Sequence, residues 1–144
     1  MAQPNFRQGT PIKSLELVYG IVEYYKPEEG NDYFLFTNEA QPDHPLRLFP
    51  AAMAKLAEGL PKAIAQAKLI DKTEVDNDTR YDICQVAQHG MTKVRLYVNT
   101  YKTRAIVWLR LFSGKPQGPI LPTKCGIRFH LDENIDAIVD FCKM

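Results

Sequence analysis

Lys93 to Arg110 reads KVRLYVNTYKTRAIVWLR, and this stretch decides the fold. It parses as two strands of alternating residues joined by a short basic turn. In the second strand Ala105, Val107, Leu109 and Leu111 point one way, and Arg104, Ile106, Trp108, Arg110 and Phe112 the other. Successive side chains of a strand face opposite sides of the sheet, so the alternation defines two surfaces. The first strand divides in the same way. Val94, Leu96 and Val98 make its aliphatic side, and Lys93, Arg95, Tyr97 and Asn99 its polar side. Paired antiparallel through the Asn99–Thr103 turn, the two aliphatic sides can pack on a core. The two polar sides then join into one surface of cations and flat rings.

The rest of the chain is organised around that hairpin. Upstream, Tyr81–Ala87 reads as a strand turned back by Gln88-His89-Gly90. Downstream, Ser113–Gly126 is rich in Gly and Pro and reads as a long loop, followed by a strand at Ile127–Leu131. Asp132 is placed to N-cap a terminal helix with Ile135, Ile138, Val139 and Cys142 on its buried stripe. In the first half, Ser14–Tyr25 has the composition of a strand with a bulge at Gly20. Tyr33–Asn38 and Leu46–Phe49 are two shorter strands. Pro50 suits the first turn of a helix, and Met53, Leu56, Ala57, Leu60 and Ile64 recur at helical spacing. Pro61 falls inside that pattern and is expected to kink or divide the helix.

Both halves thus read as antiparallel strands followed by one helix, with LRLFPAAMAKLAEGL and IRFHLDENIDAIVDF as matching helix entries. The expected fold class is α+β: two tandem antiparallel β-sheet-plus-helix repeats forming an intramolecular pseudo-dimer. The helices pack together, each covering one face of its sheet, and the opposite faces look outward. The expected division is a flexible N-terminal arm over 1–12, an acidic first repeat over 13–70, a linker over 71–80, and a basic second repeat over 81–144.

A length of 144 residues fits one domain or two small repeats on a common core, and 45% apolar with 24% charged residues is ordinary for a folded protein. The net charge of +1 conceals an asymmetry. Residues 1–79 carry 8 Lys/Arg and 12 Asp/Glu, and residues 80–144 carry 10 and 5. Ile83 to Leu131 holds eight cations and no acid. The second half is therefore suited to an anionic partner. There is no run of transmembrane length and no signal peptide, so an intracellular protein is expected, of the nucleus or of the nucleoid and cytoplasm. Three cysteines, Cys84, Cys125 and Cys142, lack metal-type spacing and read as reduced, mostly buried thiols.

At Tyr101–Phe112 the sequence resembles the single-stranded-DNA-binding domain of the transcriptional positive cofactor four family. The matching features are the turn Tyr101-Lys102-Thr103-Arg104, the alternating strand to Arg110 and Phe112, and Pro122-Thr123-Lys124-Cys125-Gly126-Ile127-Arg128-Phe129 leading to the helix. The likeness spans residues 90–143. In the first half it touches only Leu46–Leu60, whose neighbouring strands lack the basic signature. Whirly and Pur-repeat proteins share that architecture. The resemblance implies single-stranded DNA or RNA as ligand, with ssDNA preferred over duplex, and roles in transcription, replication or recombination. Transcription or replication proteins are implied as partners, as is a homodimer of pseudo-dimers.

Lys102, Arg104 and Arg110 match the family's basic positions and are expected to neutralise phosphates. Lys93, Arg95, Lys124 and Arg128 follow by face or loop. Trp108 and Tyr97 are the expected stacking rings, since cations along a backbone and rings under bases are what a single strand requires. No catalytic residue, metal ligand or cofactor is expected. Asp76-Asn77-Asp78 opens like a calcium loop but lacks its glycine and closing glutamate. Ile83–Leu131 has no carboxylates for metal-assisted phosphoryl transfer, and hydrolase and nucleotide-loop motifs are absent. A protein-interaction module using the same basic aromatic face is the competing reading.

Overall fold

Eight short runs rich in apolar and β-branched residues give eight strands, and two amphipathic runs give two helices, among the residues described. In chain order these are β1 (Lys13–Leu17), β2 (Gly20–Tyr25), β3 (Tyr33–Asn38), β4 (Leu46–Leu48), α1 (Pro50–Ile70), β5 (Arg80–His89), β6 (Thr92–Tyr101), β7 (Arg104–Gly114), β8 (Ile120–Phe129) and α2 (Ile135–Cys142). They are seen in a computed structural model that describes residues 10–70, 80–101, 104–114 and 118–143, with Tyr101 through its backbone only. The expected N-terminal arm and the 71–80 linker fall almost wholly outside these residues.

Each half forms one four-stranded antiparallel meander, in the orders β1-β2-β3-β4 and β5-β6-β7-β8. The α+β class and the two antiparallel sheets are as expected. Val94, Leu96 and Val98 of β6 and Ala105, Val107 and Leu109 of β7 are all buried, Leu96, Val98, Val107 and Leu109 completely. These residues share one apolar core with Phe34, Phe36, Leu46 and Leu48 of the first sheet and with both helices. Phe36 meets Phe129 edge-on across the two sheets, with ring centroids 6.5 Å apart.

The helices are not arranged as the sequence suggested. α1 follows the first sheet in the chain, yet it lies chiefly against β5, β6 and β7 of the second, and it also packs on α2. Phe141 of α2 in turn meets Phe34 of β3 at 5.8 Å. The expectation that each helix covers its own sheet is therefore wrong for α1. Gly59 shows why the crossing fits. A Cβ at this position would stand 2.8 Å from Cys84 Sγ and 3.0 Å from a Leu96 methyl. A glycine lets the helix settle closely onto β5 and β6, where a Cβ would require these side chains to shift.

Four local expectations also change. Ser14–Tyr25 is a hairpin and not one strand: Leu17 pairs with Gly20 around a two-residue turn at Val18 and Tyr19. That turn lacks the Asn, Asp and Gly that usually announce a hairpin. Gly20 is no bulge. It pairs with Asn38, and the Thr37 carbonyl oxygen occupies the space a Cβ would need. α1 runs through Pro61 undivided, with Pro61 on its exposed side and Leu56, Gly59, Leu60, Ala63 and Ile64 buried around it. Packing of those residues holds the helix despite one lost backbone hydrogen bond.

Most of Ser113–Gly126 is strand, in β7 and β8. As β8 is an edge strand, Pro122 can sit in it without breaking a ladder on its outer side. Finally, Asn134 and not Asp132 caps α2, its Oδ1 accepting from the Ala137 N–H at 3.1 Å. Asp132 instead donates its backbone N–H to His130 Nδ1. Among the described residues, no helix is long and apolar enough to cross a membrane.

The close seat of α1 gives a direct test. Gly59→Val would press a branched side chain onto Cys84 and Leu96. It is expected to lower the unfolding free energy by about 1–3 kcal/mol, read from the urea midpoint.

Candidate nucleic-acid interface

Strand register assembles the polar side of the second sheet into rows. Trp108 lies between Tyr97 on β6 and Arg128 on β8, and Tyr97 is opposite Asp82 on β5. In the next row Arg110 lies between Arg95 and Gly126. Beyond it Phe112 lies between Lys93 and Pro122. Eight of the nine expected residues therefore share a face or its adjoining edge: Lys93, Arg95, Tyr97, Arg104, Trp108, Arg110, Arg128 and, through an irregularity in β8, Lys124. Arg104 is exposed at the far end of β7, opposite Tyr101. Lys102 lies outside the described residues.

Arg95 and Arg110 are directly opposed on neighbouring strands, a placement that repels. The rings separate them. The Arg110 guanidinium lies 3.9 Å from the centre of the Trp108 ring, and that of Arg95 lies 5.2 Å from the centre of Phe112. Arg80 approaches the Phe112 ring at 5.6 Å, and Arg128 lies over Tyr19 at 4.2 Å. Each contact is within the range of cation–π attraction. A guanidinium stacked by its face keeps its N–H groups in the plane, where they can meet an oxyanion. Among the described residues, no carboxylate is within ion-pair distance of Lys93, Arg95, Arg104, Arg110, Lys124 or Arg128, whereas Arg80 pairs with Asp82 at 3.4 Å.

Tyr97 does not offer the open ring expected of it. It is 4% exposed, meets Phe112 edge-on at 5.5 Å, and accepts a long hydrogen bond of 3.5 Å from Arg110 on its hydroxyl. Burial pushes its phenol above the ordinary tyrosine value, against the opposing pull of Arg110. Phe112 is 1% exposed, so the two rings form a floor and the guanidinium groups lie above it. Trp108 is partly exposed, with one ring face taken by Arg110.

Lys124 owes its place to the irregularity in β8. Between the pairs Arg110–Gly126 and Phe112–Pro122, β7 spends one residue and β8 three. Thr123 pins this bulge. Its hydroxyl donates to the Leu111 carbonyl at 2.8 Å and accepts from the Cys125 N–H at 3.1 Å. Bulges re-aim side chains in this way. Gly126 keeps β8 close, since a Cβ there would lie 2.8 Å from the Leu109 carbonyl oxygen and 3.0 Å from Arg110 Cα.

The first half contributes a wall that the sequence reading did not anticipate. A cleft of about 380 Å³ is lined by Trp108, Arg110, Lys124 and Arg128 from the second half, with Pro122 and Thr123. Asn38, Ala40 and Gln41, from the turn after β3, line it as well. That turn is closed by the Gln41 N–H on the Asn38 carbonyl, and the Glu39 N–H ties it to the Tyr19 carbonyl at 2.9 Å. The β1–β2 turn reaches the second half too, through Tyr19 on Arg128 and the Val18 N–H on Glu133 Oε1 at 3.0 Å. Arg80, Tyr19, Asn38 and Gln41 were therefore missed. Arg80 alone carried a signal, as a cation at the head of a strand that pairs with Tyr97's.

The side of the first sheet that faces away from the shared core differs. Tyr25, Tyr33 and Leu35 form a separate buried cluster there, with Tyr25 and Tyr33 stacked at 5.2 Å and Arg47 over Tyr33. This face is aromatic but closed. Comparison of the sequence with protein-family models and with curated proteins gives no match.

Cys84, Cys125 and Cys142 are unpaired, and burial raises the pKa of all three, that of Cys142 to about 12. A thiol whose pKa is raised on folding stabilises the native state fully below the unfolded value. That contribution is lost as pH rises through the folded value. Stability is therefore expected to be level up to about pH 8 and to fall above about pH 9. In native protein at pH 8, Cys142 is expected to react with a thiol reagent only after urea is added.

Proposed function

We propose that this protein binds single-stranded nucleic acid along the polar face of its second sheet, with single-stranded DNA preferred over duplex, by neutralising phosphates and stacking bases. The observation that carries the reading is the Arg95–Arg110 opposition. Two cations face each other across a strand pair, each laid on a ring, with no carboxylate among the described residues to pair them. Such an arrangement is costly unless an anion lies over it, and a phosphate chain supplies anions at regular spacing. Trp108 offers its remaining face to a base, while Tyr97 and Phe112 support the guanidinium groups from beneath.

The motif from Tyr101 to Phe129 adds to this reading, as it resembles that of the transcriptional positive cofactor four family. Under the proposal, the two sheet-plus-helix halves are a pseudo-dimer within one chain whose helices pack together. The second sheet presents its polar face to the strand, and the work belongs to transcription, replication or recombination.

Fluorescence anisotropy with labelled oligo(dT) tests it. Trp108→Ala is expected to weaken binding by about 1–3 kcal/mol, the value of one stacked base. Arg110→Ala should flatten the log–log salt slope by about 0.7 if it meets one phosphate. Equal affinity for wild type and both variants, or equal affinity for oligo(dT) and duplex, rules the proposal out.

A further inference from the structure

The cleft between the two halves has a chemistry of its own. Arg110, Lys124 and Arg128 bring three positive charges to it. Asn38 uses its Oδ1 locally, accepting from the Ala40 N–H at 3.0 Å, so its amide NH2 remains a donor. Arg110 Nε is buried and has no hydrogen-bond partner. Gln41 is exposed and contributes an amide. Thr123 spends its hydroxyl proton on the Leu111 carbonyl and does not donate into the cleft. Among the described residues, the lining is thus rich in donors and free of carboxylates. A buried charged donor left unpaired is expensive, and an incoming oxyanion removes that cost.

From this we infer that the cleft is a binding site for a phosphate monoester, built jointly by the two halves. The inference rests on the reading of the second sheet as a nucleic-acid surface and adds a distinct ligand group. An internal phosphodiester brings one charge and two free oxygens. A monoester brings a charge between about −1.5 and −2 and three acceptor oxygens, which better matches three cations and two amides. Arg128 stacks by its face on Tyr19, which leaves its guanidinium edge to hydrogen-bond oxygen; Arg110, stacked on Trp108 with Nη1 on the Tyr97 hydroxyl, keeps its unpartnered Nε. The phosphate can belong to the end of a strand or to a free mononucleotide.

Competition binding separates these cases. Oligo(dT) with a 5′-phosphate, a 3′-phosphate or hydroxyl ends is titrated against the full chain, and dTMP is titrated beside thymidine with Trp108 fluorescence as readout. A phosphate at one end is expected to tighten binding about tenfold. Lys124→Ala and Gln41→Glu should each reduce that ratio towards one. Gln41 is exposed, so the second variant is expected to fold. A response to dTMP without oligonucleotide binding would sustain the pocket and remove the strand reading. Hydroxyl-ended strands binding as well as both phosphorylated ones, with no response to dTMP over thymidine, would remove the pocket and leave the strand reading standing.

Discussion

The seat of α1 on the second sheet is the contact on which the rest of the structure depends. It buries Leu96, Val98, Val107 and Leu109 completely and so fixes which side of β6 and β7 faces inward. A register slip by one residue would put Arg95, Tyr97, Trp108 and Arg110 into the core and the aliphatic residues into water. The grid of cations and rings on the other side is therefore a consequence of the packing beneath it. Gly59 and the apolar stripe of α1 position Arg110 as surely as its own neighbours do.

The surface they create joins two features that are usually at odds. Guanidinium groups need polar partners, and large rings need cover. Here each covers the other: Arg110 lies on Trp108, Arg95 on Phe112, Arg128 on Tyr19. The rings hold the cations in place without neutralising them, because the attraction of a π face leaves the charge and the N–H edge intact. A salt bridge would have fixed the same side chains at the expense of their charge. The absence of acids from Ile83 to Leu131 is the sequence-level counterpart of that choice.

Much of this was legible because strands of period two write their two faces directly into the sequence. Lys93–Arg110 supplied the hairpin, its buried side and the identity of Arg95, Trp108 and Arg110 as surface residues. What escaped was set by tertiary contact. Nothing in LRLFPAAMAKLAEGL says that the helix will cross to the other sheet, since an apolar stripe does not name its partner. The Val18–Tyr19 turn carries apolar residues where a turn residue would have been read, and Pro122 hides an edge strand. Asn38 and Gln41 stand more than sixty residues before Trp108 and reach it only once both sheets have folded. Tyr97 alternates onto the polar face as expected, yet its burial depends on Phe112 and Arg110 closing over it.

The crossing of α1 has a bearing on how the chain reaches its folded form. During synthesis the first sheet and α1 emerge before any of the strands that α1 will cover. Its apolar stripe stays without its final partner until β5 to β7 are made. Contacts so distant along the chain raise contact order and slow the final assembly. The second sheet thus gains its cover from a helix made before it, and the two are expected to mature together.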